Sequence, residues 1–150
     1  MPGAEAGRRM RGIEYLRAIR DGRVPAPPIA QTVDMRLVAV EEGRAVFECE
    51  PAEYHYNPLG VVHGGLAATL LDSAMGCAVH STLPVGAGFT TLEIKVNYLR
   101  ALTSQTGIVR AEGWIIKAGG RVAVAEGRVI DAAGDLYAHA TTTCLILRTE

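Results

Sequence analysis

The run Gly64-Gly65-Leu66-Ala67-Ala68-Thr69-Leu70-Leu71-Asp72-Ser73-Ala74-Met75-Gly76-Cys77-Ala78-Val79-His80 decides how this 150-residue chain folds. Its apolar residues lie nearly all round a helical projection instead of along one stripe, which predicts a helix enclosed by other structure. Downstream, four β-rich stretches near 89–100, 105–117, 121–131 and 135–148 are punctuated by Gly119-Gly120 and Ala132-Ala133-Gly134. Upstream, alternating apolar and polar residues over 31–40 and 44–50 flank the turn signal Glu41-Glu42-Gly43 and predict two more strands. The order strand, strand, buried helix, four strands has no βαβ alternation, so it predicts an α+β fold with one antiparallel sheet of about six strands. Strand lengths of ten or more predict a long, curved sheet wrapped around the helix.

Residues 8–21 place Met10, Ile13, Leu16 and Ile19 near helical spacing with Gly22 as a stop, which predicts an amphipathic N-terminal helix. Ala26-Pro27-Pro28 then separates an extension, 1–28, from the domain proper, 29–150. At this length one domain suffices, burying roughly two thirds of its unfolded surface. A net charge of −1, without a long block of one sign, points away from nucleic acid as a partner. Lys95 and Lys117 are the only lysines among fifteen basic residues, a compositional bias toward arginine. Residues 54–71 and 73–92 carry no Asp, Glu, Lys or Arg, yet Pro58, Gly60, Gly64, Gly65 and Pro84 interrupt them, so they predict a soluble core and not a membrane span. Arg8, Arg9, Arg11 and Arg17 are followed by no apolar run of signal-peptide type, which makes the cytoplasm the expected location. Cys49, Cys77 and Cys144 sit apart in apolar neighbourhoods and read as reduced core residues.

Asp72 is the one charged residue between Glu53 and Glu93 and falls too far into its helix to act as a cap. Burying a carboxylate without a partner costs several kcal/mol, and no cation lies within two turns; a solvated Asp on an outward helix face is the alternative. Gly65, Ala68, Thr69, Asp72, Met75 and Gly76 share one face built mostly of small residues, which admits a ligand or another backbone. At the helix start, Gly64 and Gly65 are expected to expose unpaired N–H groups at the positive end of the dipole, where an oxyanion would be held. The rise from Gly64 to Asp72 is roughly 12 Å, and an Asp side chain reaches back only about a quarter of that. If both groups act on one carbonyl, they must come from two subunits of a two-fold dimer.

Three stretches carry a family resemblance: Asn57-Pro58-Leu59-Gly60-Val61-Val62-His63-Gly64-Gly65 with Leu71-Asp72, then Thr91-Leu92-Glu93-Ile94-Lys95-Val96-Asn97-Tyr98-Leu99-Arg100, and Gly120-Arg121-Val122-Ala123-Val124-Ala125-Glu126-Gly127. Over about residues 30–148 the chain resembles the hotdog thioesterases of the phenylacetate-pathway and 4-hydroxybenzoyl-CoA type. The resemblance implies a hotdog fold and hydrolysis of a small aromatic or short-to-medium-chain acyl-CoA. It implies that Asp72 is the catalytic carboxylate, acting as general base on water or as nucleophile, and that the Gly64 N–H polarises the thioester carbonyl, with Gly65 beside it in the substrate site. Asn57 would orient water or substrate, Thr91 would stand by the carboxylate with a methyl that some relatives lack, and His63 would brace the loop. Arg100, Gly120 and Arg121 would meet the CoA nucleotide. No cofactor is implied, CoA being part of the substrate, and the expected assembly is a homodimer, with a tetramer formed as a dimer of dimers. His55, His80 and His139 show no metal-ligand spacing, so no metal is expected. Two other readings stand beside this one: a hotdog hydratase or dehydratase with His63 as base, and a non-catalytic acyl-CoA-binding module.

Overall fold

A computed structural model describes residues 2–148. Six strands form one antiparallel sheet: β1 (Met35–Glu41), β2 (Arg44–Cys49), β3 (Ala87–Tyr98), β4 (Val109–Ala118), β5 (Val122–Ile130) and β6 (Leu136–Arg148). Their spatial order is β1-β2-β4-β5-β6-β3, which leaves β1 and β3 at the edges. Irregularities in pairing after Leu37, Thr91 and Ile115 interrupt the ladders and bend the strands. The long helix α4 (Gly64–Ser81) lies in the concavity, with Leu70, Leu71, Ala74, Met75 and Val79 wholly buried. Gly113 and Gly127 face each other on β4 and β5 beneath it. A Cβ at Gly113 would run into the α4 backbone at Ala74, and one at Gly127 would come within 3.0 Å of Met75 Cγ. These two glycines let the helix settle onto the centre of the sheet, and so set the height at which its side chains meet β3.

The all-round apolar reading of 64–80 and the four later strands agree with the structure to within a few residues. The N-terminal region differs from expectation. Instead of one helix over 8–21 there are two, α1 (Pro2–Gly7) and α2 (Gly12–Arg20), because Glu14 Oε2 accepts the Arg11 N–H and starts a new helix there. The stop at Gly22 is as expected: at φ 73° its N–H reaches the Ile19 carbonyl and that of Arg23 reaches Ala18, a Schellman pair. The strand expected over 31–40 begins only at Met35. Pro28, with no N–H to forfeit in a first turn, opens the short helix α3 (Pro28–Thr32), and Asp34 at φ 51° turns the chain into β1. Ile13 and Leu16 of α2 are buried in the same core as α4, so this segment packs onto the domain.

The outer face of the sheet accounts for part of the arginine bias. Glu48 accepts from both Arg36 and Arg110 at 2.9 Å, and Glu112 lies between Arg44 and Arg128. These are cross-strand pairs on a solvated face. No helix among the described residues is long and apolar enough to cross a membrane.

Candidate active site

The first turn of α4 is organised by His63. Its Nδ1 accepts the Gly65 N–H at 2.8 Å and its carbonyl accepts from Leu66, while its own N–H donates to the His55 carbonyl at 2.8 Å. The Gly65 amide is therefore spoken for, contrary to the expectation of two free donors. A side chain at Gly65 would crowd that cap, since a Cβ there would sit 2.9 Å from His63 Nδ1. The Gly64 N–H has no acceptor among the described residues and points out of the positive end of an 18-residue helix, as an oxyanion donor requires. His63 thus ties this turn to the loop before it.

Tyr98 completes the same corner. It is 56% exposed, and its hydroxyl donates to the Gly64 carbonyl at 3.1 Å. A Cβ on Gly64 would lie 3.1 Å from the Tyr98 ring, so position 64 has room for glycine alone unless the ring moves. His63, Gly64, Tyr98, Arg100 and Tyr137 line a cavity of about 370 Å³. Arg100 is held there by Asp135 at 2.6 Å and by the face of Tyr137. Asn57 does not line this cavity. Its Oδ1 accepts from Leu59 N at 2.9 Å and Val61 N at 3.5 Å, shaping the loop that delivers His63, and only its amide nitrogen is left for another partner.

Two turns further along, Asp72 is half-buried, and Thr91 donates to its Oδ1 at 2.9 Å. Thr91 lies just before the break in β3 pairing between Thr91 and Glu93, at the point where the strand must turn toward the helix. Among the described residues no cation pairs with Asp72. It opens on a second, mostly apolar cavity of about 330 Å³, whose wall includes Leu16, Ile19, Ile29, Phe47, Cys77 and Phe89. Arg20 and Arg36 also border it, but Arg20 is engaged with Asp21 and Arg36 with Glu48. Burial, and after it the charge of Asp72, pushes the Cys77 thiol up to about 12, so it is neutral and no competing nucleophile. Met75, placed on the Asp72 face by spacing alone, is instead wholly buried; Ala68, Thr69, Asp72 and Ser73 form the half-open stripe.

Gly64 and Asp72 thus face different cavities of one chain. The expected nucleotide contacts divide in the same way. Arg100 N–H meets the Tyr137 carbonyl at the start of β6, whereas the Arg121 carbonyl accepts from Ile146 near its end. Nine residues of strand separate those points, roughly 30 Å, so Arg100 and the Gly120-Arg121 turn cannot grip one nucleotide within a single subunit. Among the described residues no group of three or more His, Cys, Asp or Glu is placed to hold a metal ion. Tyr98 and the N-terminal wall of the Asp72 cavity were not picked out from sequence. Tyr98 lay inside a quoted motif, whereas the wall had no local signal.

The family model described as thioesterase superfamily matches residues 59–138. A Saccharolobus solfataricus protein designated an esterase is 32% identical over 90% of this chain and 94% of its own length. The 1,4-dihydroxy-2-naphthoyl-CoA hydrolase of Listeria monocytogenes is 30% identical over 55% of this chain and 66% of its own. Among solved structures, a phenylacetic acid degradation-related protein of Ralstonia eutropha JMP134, designated a thioesterase, superposes with a TM-score of 0.79 at 28% identity, covering 87% of this chain and 98% of that one. With a buried helix in a curved six-stranded sheet and a matching sequence profile, the chain belongs to the thioesterase superfamily, as a thioester hydrolase of the hotdog fold.

Proposed function

We propose that this chain hydrolyses an acyl-CoA to the free acid and CoA in a site shared between two subunits, Asp72 from one and the Gly64 N–H from the other. The observation that carries the reading is Asp72 itself: a carboxylate with no cationic partner among the described residues, oriented by Thr91 and opening on an apolar chamber. As general base, Asp72 takes a proton from water as the water oxygen attacks the thioester carbon. The carbonyl oxygen gains charge against the partner's helix start, then the C–S bond breaks and the CoA thiolate takes up the proton. As nucleophile, Asp72 would instead expel the thiolate to form a mixed anhydride that water then opens. A substrate of the acyl-CoA class accords with the name of the Listeria relative. The hydratase reading is less favoured, because His63 Nδ1 is already committed to the Gly65 N–H.

Dimerisation is supported by β3, a twelve-residue edge strand with Leu92 57% exposed, next to the half-open stripe of α4. An edge of that length presents unpaired backbone groups that a second copy can satisfy. A dimer of dimers, with the CoA nucleotide between Arg100 of one subunit and the Gly120-Arg121 turn of its partner, extends the same reading.

Thiol release from a panel of acyl-CoAs tests the activity. Asp72→Ala should lower kcat/KM by at least about a hundredfold, ~2.7 kcal/mol, and a loss under about tenfold would remove Asp72 from the chemistry. The shared site has its own test. Asp72→Ala subunits mixed with Gly64→Val subunits, each inactive alone, should regain up to about a quarter of wild-type activity, since a mixed dimer holds one intact site of two. No recovery, with mixed dimers demonstrated, would place both groups in one subunit.

A further inference from the structure

The cavity at Asp72 is closed along the helix by Phe89. Phe89 and Thr91 are two residues apart on β3 and point to the same face, so one meets α4 at Gly76 while the other meets it at Asp72. The contact at Gly76 is tight. A Cβ there would lie 2.9 Å from two atoms of the Phe89 ring, so only glycine lets the ring rest on the helix. The ring also meets His80 edge-on at 5.8 Å. Beyond this Phe89–His80 partition lies another cavity, of about 520 Å³, bordered by Tyr15, His80, Ala87, Gly88 and Leu147. Along α4, Asp72, Gly76 and His80 follow at about 6 Å intervals: carboxylate, stop, second chamber. The side wall of the first chamber comes from Leu16, Ile19, Ile29 and Ala30 in α2 and α3, upstream of residue 59, where the family match begins.

We infer that Phe89, seated on Gly76, is the acyl-length stop of this enzyme, and that α2 and α3 form the wall that selects the acyl group. The chamber takes a compact apolar acyl group, such as an aromatic ring or a chain of up to about eight carbons, and excludes long chains. At about 330 Å³ it sits at the small end of ligand pockets, which run from roughly 300 to 1,000 Å³. The polar head of an acyl chain would lie at Asp72 and its tail would meet the Phe89 ring. Removing that ring opens the first chamber toward the second, which Arg8 and Arg148 also border, and gives a long chain a path past His80.

This rests on the acyl-CoA reading, so the test separates binding from hydrolysis. S-hexyl-CoA and S-hexadecyl-CoA are thioethers that bind without reacting, and their Kd values are measured by calorimetry for wild type, Phe89→Ala, Phe89→Leu and Ile29→Trp. Wild type should prefer S-hexyl-CoA. Phe89→Ala should shift the hexadecyl-to-hexyl affinity ratio toward the long chain by tenfold or more, with Phe89→Leu in the same direction by less. Ile29→Trp, which fills the wall side, should weaken S-hexyl-CoA by a similar factor. If Phe89→Ala does not fold, Phe89→Leu and Ile29→Trp carry the test. An unchanged ratio in the folded Phe89 variants, or a wild type that prefers the long chain, overturns the inference. Absence of thiol release from matched thioesters, with the affinity pattern intact, would instead defeat the hydrolase reading and leave the pocket assignment standing.

Discussion

The first and third turns of α4 are built on opposite principles. The first turn is a polar cradle: His63 caps Gly65, Tyr98 holds the Gly64 carbonyl, and the loop behind it is tied by Asn57 and by His63 N–H to His55. Among the described residues the Gly65 N–H and the Gly64 carbonyl both have partners, and the Gly64 N–H is left over. The third turn is apolar, and its one charge, Asp72, has Thr91 as its side-chain hydrogen-bond partner and a greasy chamber in front. A rigid donor with no acceptor and a carboxylate with no cation, as both stand among the described residues, are each costly in isolation. Their separation along one helix is what the proposed two-subunit site rests on.

The comparison breaks most readily at Gly64. Gly64→Ala keeps the N–H but drives a methyl against the Tyr98 ring, and displacing the donor by even about 1 Å should lower kcat/KM by thirty- to a hundredfold. Placing Gly64→Ala in a Tyr98→Ala background should recover part of that loss if the ring is the cause. Equal losses in both backgrounds would show that the contact is not what position 64 guards. At the other turn the effect is smaller. Thr91→Val removes the hydroxyl from Asp72 and should lower kcat by about tenfold, ~1.4 kcal/mol, while Thr91→Ser stays near wild type. A Thr91→Ser variant as slow as Thr91→Val would mean that packing, not the hydroxyl, matters there.

The smallest effect lies just beyond the acyl stop. Burial holds the His80 pKa below its ordinary 6.5, so the unfolded chain takes up a proton there before the folded one does. His80 therefore contributes stability that is intact above about pH 6.5 and is lost as pH falls through that value toward the folded pKa. Tm measured from pH 8 to pH 5 should fall by a degree or two less in His80→Phe than in wild type. Parallel curves would mean that His80 is protonated equally in both states.

Much of this molecule was legible in the chain. The enclosed helix showed in its all-round apolar pattern, the later strands in their turn signals, and Asp72 in its isolation within a long uncharged stretch. Thr91 and His63 were singled out through a motif; Thr91 donates to Asp72, and His63 accepts from the Gly65 N–H. The failures were local rules overtaken by specific contacts. Alternation over 31–34 lost to a proline-initiated turn, and two free amides at the helix start became one once His63 capped the other.

Sequence periodicity by itself determined that a buried helix lies in a curved antiparallel sheet and that its one charge is out of place. It also determined, through helix rise, that Gly64 and Asp72 cannot meet within a chain. The tertiary structure alone decided what each group faces: a chamber walled by α2 and α3, more than forty residues upstream of Asp72, and a stop formed where Phe89 crosses Gly76. Those contacts depend on how far a helix sinks onto a sheet, which Gly113 and Gly127 set from beneath. That depth is a property of packed layers, and no local window of sequence contains it.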